Sequence, residues 1–137
     1  MTTTSFRLPL APMPTPRPRA RVLPGRGIAV FYSPKEYQEW QKAAAEALAQ
    51  VAAFPVEGPC RAIVLCEFAK PKTTKLFAPR PDVDNCAKGV LDAITKDGRF
   101  WNDDTQVVHL TAIKRWTTGA PGIDVTIELC AADGSSL

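Results

Sequence analysis

The stretch Asp82–Gly98, DVDNCAKGVLDAITKDG, constrains the fold most. Ala87, Val90, Leu91 and Ile94 recur at helical spacing, and Gly98 supplies a C-terminal stop. A helix with one apolar stripe has to lie against another apolar surface. Ahead of it runs KPKTTKLFAPRP, residues 70–81, whose prolines and lysines exclude a regular element. A second helix is signalled by SPKE: Ser33 as N-cap, Pro34 in the first helical position and Glu36 completing a capping box. Its core face is Tyr37, Trp40, Ala44, Ala47, Leu48 and Val51. SFRLPL, GIAVFY, CRAIVLCEF, TQVVHLTAIKRW and IDVTIELC read as strands, the last with Ile123, Val125, Ile127 and Leu129 on one face. The order β-β-α-β-α-β-β predicts an α+β fold, two helices packed on a mixed β-sheet, with TGAPG turning the last two strands into a hairpin. Residues 1–137 read as a single domain with a Pro/Arg-rich arm at 12–26, extended and polyproline-like, and a loose tail at 132–137.

Charge narrows the function. The net charge is only +3, but it is unevenly placed. Residues 1–30 hold Arg7, Arg17, Arg19, Arg21 and Arg26 and no acid. The loop ahead of the Asp82–Gly98 helix holds Lys70, Lys72, Lys75 and Arg80, again with no acid. Acids gather between 82 and 104. Basic segments around an acidic knot point to a polyanion held beside a cation site, against the plainer reading of charge for solubility. No apolar run reaches membrane-spanning length and the N-terminus has no apolar signal core, so the expected location is cytoplasmic. Cys60, Cys66, Cys86 and Cys130 form no C-x-x-C pair and have no His cluster beside them, which predicts reduced, buried thiols rather than zinc.

Arg80–Asp104 contains six aspartates and no glutamate. Asp82 and Asp84, two apart in extended backbone at a helix mouth, send their carboxylates to the same side. Asp84, Lys88 and Asp92 step by four along a face roughly opposite the apolar stripe. Asp103 and Asp104 come just before a strand. Two aspartates from the helix mouth and one from the strand mouth would suit a hard cation such as Mg²⁺, with Lys88 to stabilise charge on a phosphate. The same residues also allow a plainer reading. Asp84 is a good N-cap, Asp84–Lys88–Asp92 a good surface ion ladder, and Asp103–Asp104 good turn residues. Asp97 reads as solvated, and His109 as a surface or packed strand residue.

RPDVDNCAKGVLDAI, then NDDTQVVHLTAIKRW, then PGIDVTI together resemble the RusA family of Holliday junction resolvases, over about 80–127. The family's pattern is close to [KR]-P-D-x-D-N-x-x-K-x-x-x-D-A-[LI], followed by D-D-x-Q-V-V with a lysine downstream. The resemblance implies a Mg²⁺-dependent homodimeric endonuclease, with Mn²⁺ as a substitute ion, that nicks four-way DNA junctions. It carries essential carboxylates to Asp82, Asp84 and Asp104 and an essential lysine to Lys88. Asp103 is the neighbouring acid of the metal set, and Asn85 and Asp92 are supporting. Arg17, Arg19, Arg21, Lys70, Lys72, Lys75 and Arg80 would contact phosphates. Cys86 stands where the family commonly has Leu, and Gly89 where a helix former is usual. A two-fold dimer suits the junction's own approximate two-fold symmetry; Trp40, Phe100, Trp101 and the last two strands are candidate interface residues. The competing readings are a DNA-binding protein without catalysis, and a metal-dependent nuclease acting on flaps or forks. No Gly-rich phosphate loop and no nucleophilic triad is present in the sequence.

Overall fold

The computed structural model describes residues 3–16 and 34–137 with their side chains, and 19–22 and 29–32 as backbone. The elements are β1 (Thr3–Leu8), β2 (Arg19–Val22), β3 (Ala29–Tyr32), α1 (Lys35–Leu48), β4 (Cys60–Ala69), α2 (Val83–Asp97), a 3₁₀ turn (Asp104–Gln106), β5 (Val107–Thr117) and β6 (Gly122–Leu129). Two helices thus pack on a mixed four-stranded sheet of order β1-β6-β4-β5, the expected α+β class. The expected arm at 12–26 is not all polyproline-like. Its residues 19–22 form β2, which pairs antiparallel with β3 in a separate two-stranded sheet. Ser33 lies outside the described residues. Helix α1 begins at Lys35, with Pro34 ahead of it at ψ 145°.

The alternation of β4 buries Cys60, Ala62, Val64 and Cys66, and that of β6 buries Ile123, Val125 and Ile127. Against them α1 sets Tyr37, Trp40, Ala44 and Leu48, and α2 sets Val90, Leu91 and Ile94. Trp40, Phe100 and Trp101 are core residues at 6%, 1% and 2% exposure, so they offer no surface for an interface. All four cysteines are free and buried.

The expected hairpin between the last two strands does not form. Strand β4 lies between them, antiparallel to β6 and parallel to β5. Residues 118–121 therefore cross the end of β4 instead of closing a tight turn. Parallel partners need a crossover, and α2 provides it. This β4–α2–β5 unit sets the geometry of the site. Cys60 pairs with Val107 at one end and Ala69 with Thr117 at the other. The first turn of α2 therefore sits over the far ends of β4 and β5, and its last turn over their beginnings.

Asp97, at that last turn, is not simply solvated. Its side chain is 9% exposed and accepts from Arg99 Nε at 2.8 Å. The same guanidinium donates to Leu48 O at 2.7 Å and Val51 O at 3.0 Å, which ties the C-terminal end of α1 to the turn after α2.

Candidate active site

Asp82 and Asp84 stand together at the start of α2. Asp82 is the N-cap, with extended backbone (φ −64°, ψ 134°), and Cys86 N donates to its carbonyl at 3.1 Å. Both residues are exposed, and among the described residues neither carboxylate has a hydrogen bond or an ion pair. Lys88 lies one turn further on, exposed and likewise without a partner, and Asp92 is half-buried a turn beyond. The face opposite holds the buried Ala87, Val90 and Ile94, as the spacing predicts.

Two contacts fix this helix start. From β5, Lys114 Nζ donates to Pro79 O at 2.7 Å and to Pro81 O at 2.8 Å, which pins the chain just before Asp82. From the N-terminal segment, Thr15 donates twice to Asn85 O, from its N at 3.1 Å and its Oγ1 at 2.9 Å. So Asn85 serves through its backbone carbonyl, while its side chain makes no hydrogen bond among the described residues. Gly89 permits this docking. A Cβ there would meet Tyr37 Oη at 3.2 Å and Thr15 Oγ1 at 3.3 Å. Burial raises the pKa of the Tyr37 phenol. Under the first turn, Cys66 and Cys86 face one another, and Cys66 is held as the thiol by its hydrogen bond to Cys86 and by burial. Burial pushes the Cys60 thiol up to about 11.

Asp103 and Asp104 lie at the other end of the crossover. Gln106 donates through Nε2 to Val56 O at 2.8 Å and Gly58 O at 3.1 Å, and its Oε1 accepts from Asn102 N at 2.8 Å. This anchors the 3₁₀ turn at the beginning of β5. Asp103 Oδ2 accepts from Thr105 Oγ1 at 2.9 Å, so that carboxylate works inside its own turn. Asp104 is half-buried, and its carboxylate has no hydrogen bond or ion pair among the described residues.

Helix α2 has 15 residues and rises roughly 22 Å. One chain therefore holds Asp82, Asp84 and Lys88 at one end of α2 and Asp103 and Asp104 at the other. In keeping with this, no group of three or more His, Cys, Asp or Glu among the described residues is placed to share a metal ion. The donors that are together, two carboxylates with hard oxygen atoms and no partner among the described residues, suit Mg²⁺ or Mn²⁺ in kind but fall short in number for an all-protein site.

The basic loop 70–81 borders the Asp82 end. Lys70, Lys72, Lys75 and Arg80 are all exposed, as phosphate contacts require. Arg17 lies outside the described residues, and Arg19 and Arg21 are described only as backbone of β2. Arg7 is not unopposed: it pairs with Glu67 at 2.8 Å and Asp124 at 3.0 Å, acids brought in by sheet pairing. His109 is exposed on β5, near Arg61 and Thr111. Sequence reasoning missed the role of Lys114. Its spacing from Lys88 carries no local signal, since only the parallel pairing of β5 with β4 brings it under α2. A lysine downstream of D-D-x-Q-V-V was the one available hint. No described helix is long and apolar enough to cross a membrane.

Comparison with known proteins gives a consistent result. The family described as "Endodeoxyribonuclease RusA" matches residues 9–128. The chain is similar to the "Crossover junction endodeoxyribonuclease RusA" of Escherichia coli (strain K12), 44% identical over 48 residues, which is 35% of this chain and 39% of that protein. The same figures hold for the "Crossover junction endodeoxyribonuclease rusA" of Enterobacteria phage 82. The alignments thus span well under half of the curated relatives' length.

Proposed function

The chain belongs to the RusA endodeoxyribonuclease family, and from that premise we propose that it is a Mg²⁺-dependent endonuclease that resolves four-way DNA junctions by paired symmetric nicks. The observation that carries this reading is the pair of carboxylates, Asp82 and Asp84, without a partner among the described residues, on a helix start held from two sides and flanked by exposed cations. Asp82 and Asp84 hold the ion through hard oxygen atoms. Bound there, the ion supplies polarisation of a phosphate oxygen and a lowered pKa for an attacking water. Lys88 stabilises charge on the phosphate. Asn85 and Asp92 support the helix start and its charged face. Lys70, Lys72, Lys75 and Arg80 bind flanking phosphates, and Arg17, Arg19 and Arg21 are further phosphate-contact candidates from the sequence; such contacts position DNA without reading sequence.

The third carboxylate comes from a second copy. Asp104 lies at the opposite end of α2 from Asp82, so a homodimer in which each α2 start meets the partner's 3₁₀ turn completes two equivalent sites. Two-fold symmetry then matches that of the junction and yields two related nicks.

The test is incubation with synthetic four-way junction, flap and duplex, in Mg²⁺ or EDTA. Paired nicks confined to the junction, dependent on Mg²⁺ and lost in Asp84→Asn, are expected. Binding without nicking, alike in wild type and Asp84→Asn, overturns the enzyme reading. Flap cutting with an intact junction replaces the substrate.

A further inference from the structure

The loop between β4 and α2 is built, not merely charged. Trp116 Nε1 donates to Leu76 O at 3.0 Å, Lys70 N donates to Thr117 O at 3.0 Å, and Lys114 holds the Pro79 and Pro81 carbonyls. Pro71, Pro79 and Pro81 limit its backbone freedom further. Between this fixed loop and the ends of β4 and β5 lies a pocket of about 570 Å³, within the usual range for small-molecule sites. Phe68 and Trp116, register neighbours on β4 and β5, offer aromatic surface to it. Leu76, Pro79 and Pro81 complete the apolar wall, and Lys75 and Arg80 add positive charge. Neither aromatic ring is fully buried, so ring surface remains for a ligand.

Flat aromatic surface with cations at hand suits a planar, uncharged ring that carries an anionic group. A nucleobase with its phosphate has that chemistry. The pocket wall at Pro81 is one residue from Asp82, so a base seated there leaves its phosphate beside the carboxylates of Asp82 and Asp84. At the tip of the same loop, Phe77 is 100% exposed and Leu76 is 40% exposed. A Phe held wholly in water on a basic loop has the character of a wedge side chain, which enters a base step and takes the place of the displaced base.

We propose that the pocket lined by Phe68, Leu76 and Trp116 receives one unstacked base of the DNA substrate next to the scissile phosphate, with Phe77 filling the gap in the stack. The proposal rests on the reading of the chain as a DNA endonuclease and adds to it the base subsite. The centre of a junction is a favourable place for this, because bases there unstack at lower cost than within a duplex. A pocket of fixed shape beside the cut also discriminates among bases, which backbone contacts do not.

Trp116 provides the readout. Trp40 and Trp101 are buried, so Trp116 is the tryptophan open to stacking. The full chain is titrated in EDTA with four-way junctions that each carry one abasic nucleotide at a different position near the crossover. Tryptophan emission and affinity are both read. The unmodified junction quenches the emission. An abasic nucleotide at one position removes the quench and weakens binding about tenfold, the usual worth of one base–aromatic stack. Leu76→Glu, a change on an exposed loop, weakens binding of the unmodified junction by a similar factor and adds no further loss with the abasic one. Quench and affinity that ignore the abasic position, or a Leu76→Glu loss that is the same for both junctions, overturn the proposal. A parallel assay in Mg²⁺ separates the two readings. Nicking without position dependence removes the pocket and keeps the endonuclease; position dependence without nicking does the reverse.

Discussion

Lys114 Nζ donates to Pro81 O at 2.8 Å, so a residue in the middle of β5 fixes the backbone immediately before Asp82. The second bond, to Pro79 O, makes the contact two-pronged. Neither proline has an N–H of its own to anchor the loop. Lys114→Met keeps the stem and removes the donors. Bonds from a charged donor contribute about 1.5–3 kcal/mol each, and the two carbonyls regain part of this from water. We expect a stability loss of about 2 kcal/mol by denaturant unfolding and at least a tenfold fall in junction nicking. Nicking at the wild-type rate would remove Lys114 from the site.

Asp103 and Asp104 should separate. Asp103 accepts from Thr105 and belongs to its turn; Asp104 has no such partner among the described residues. Asp103→Ala is expected to cost about 1 kcal/mol of stability, as the loss of a local cap does, and to leave most nicking. Asp104→Asn is expected to lower nicking at least a hundredfold with little change in melting temperature. The reverse pattern would assign the ligand to Asp103.

The proposed sharing of each site between two chains makes a mixing prediction. Asp84→Asn and Asp104→Asn chains are each expected to lose nearly all nicking alone. In a mixed dimer built as proposed, one site receives Asp84 from one chain and Asp104 from its partner, and is whole. Unfolding and refolding the two variants together should restore single nicks, up to about a quarter of wild-type sites when the chains mix statistically and dimerise as proposed. If both carboxylates of a site came from one chain, no mixed dimer would have an intact site and activity would stay absent.

Gly89 is needed for contact rather than for its backbone. Alanine in a helix interior is favoured over glycine by about 1 kcal/mol. At this position its Cβ would sit 3.2 Å from Tyr37 Oη and 3.3 Å from Thr15 Oγ1, which offsets that gain. Gly89→Val adds two more carbons to the same space and should destabilise by about 1–3 kcal/mol, measured by denaturant unfolding. A stabilised Gly89→Val would show that Thr15 does not dock there.

The Cys60 thiol predicts an alkaline loss of stability. Its pKa is raised by burial to about 11 from an ordinary value of 9.0. Between those values the unfolded chain releases the proton and the folded chain keeps it, so the unfolded state binds fewer protons and stability falls as pH rises. Below pH 9 this contribution is fully present. Unfolding free energies measured at pH 8 and pH 10.5 should differ more in wild type than in Cys60→Ala. An equal difference in both would place the alkaline loss elsewhere.

The amino-acid sequence by itself determined the local elements and the chemistry available at each. Helical spacing of Ala87, Val90 and Ile94 and alternation along β6 report which faces are apolar, and that information is short-range. The D-x-D-N-x-x-K order likewise puts Asp82, Asp84 and Lys88 on one helix start, since successive turns fix their relation. Tertiary structure decided what depends on strand order. Inserting β4 between β5 and β6 replaced a hairpin by a crossover, brought Lys114 beneath α2, paired Arg7 with Glu67 and Asp124, and set Asp104 at the far end of α2 from Asp84. These relations join residues distant in sequence, and no local period encodes them, because they follow from which strand edges meet once both helices have covered one face of the sheet.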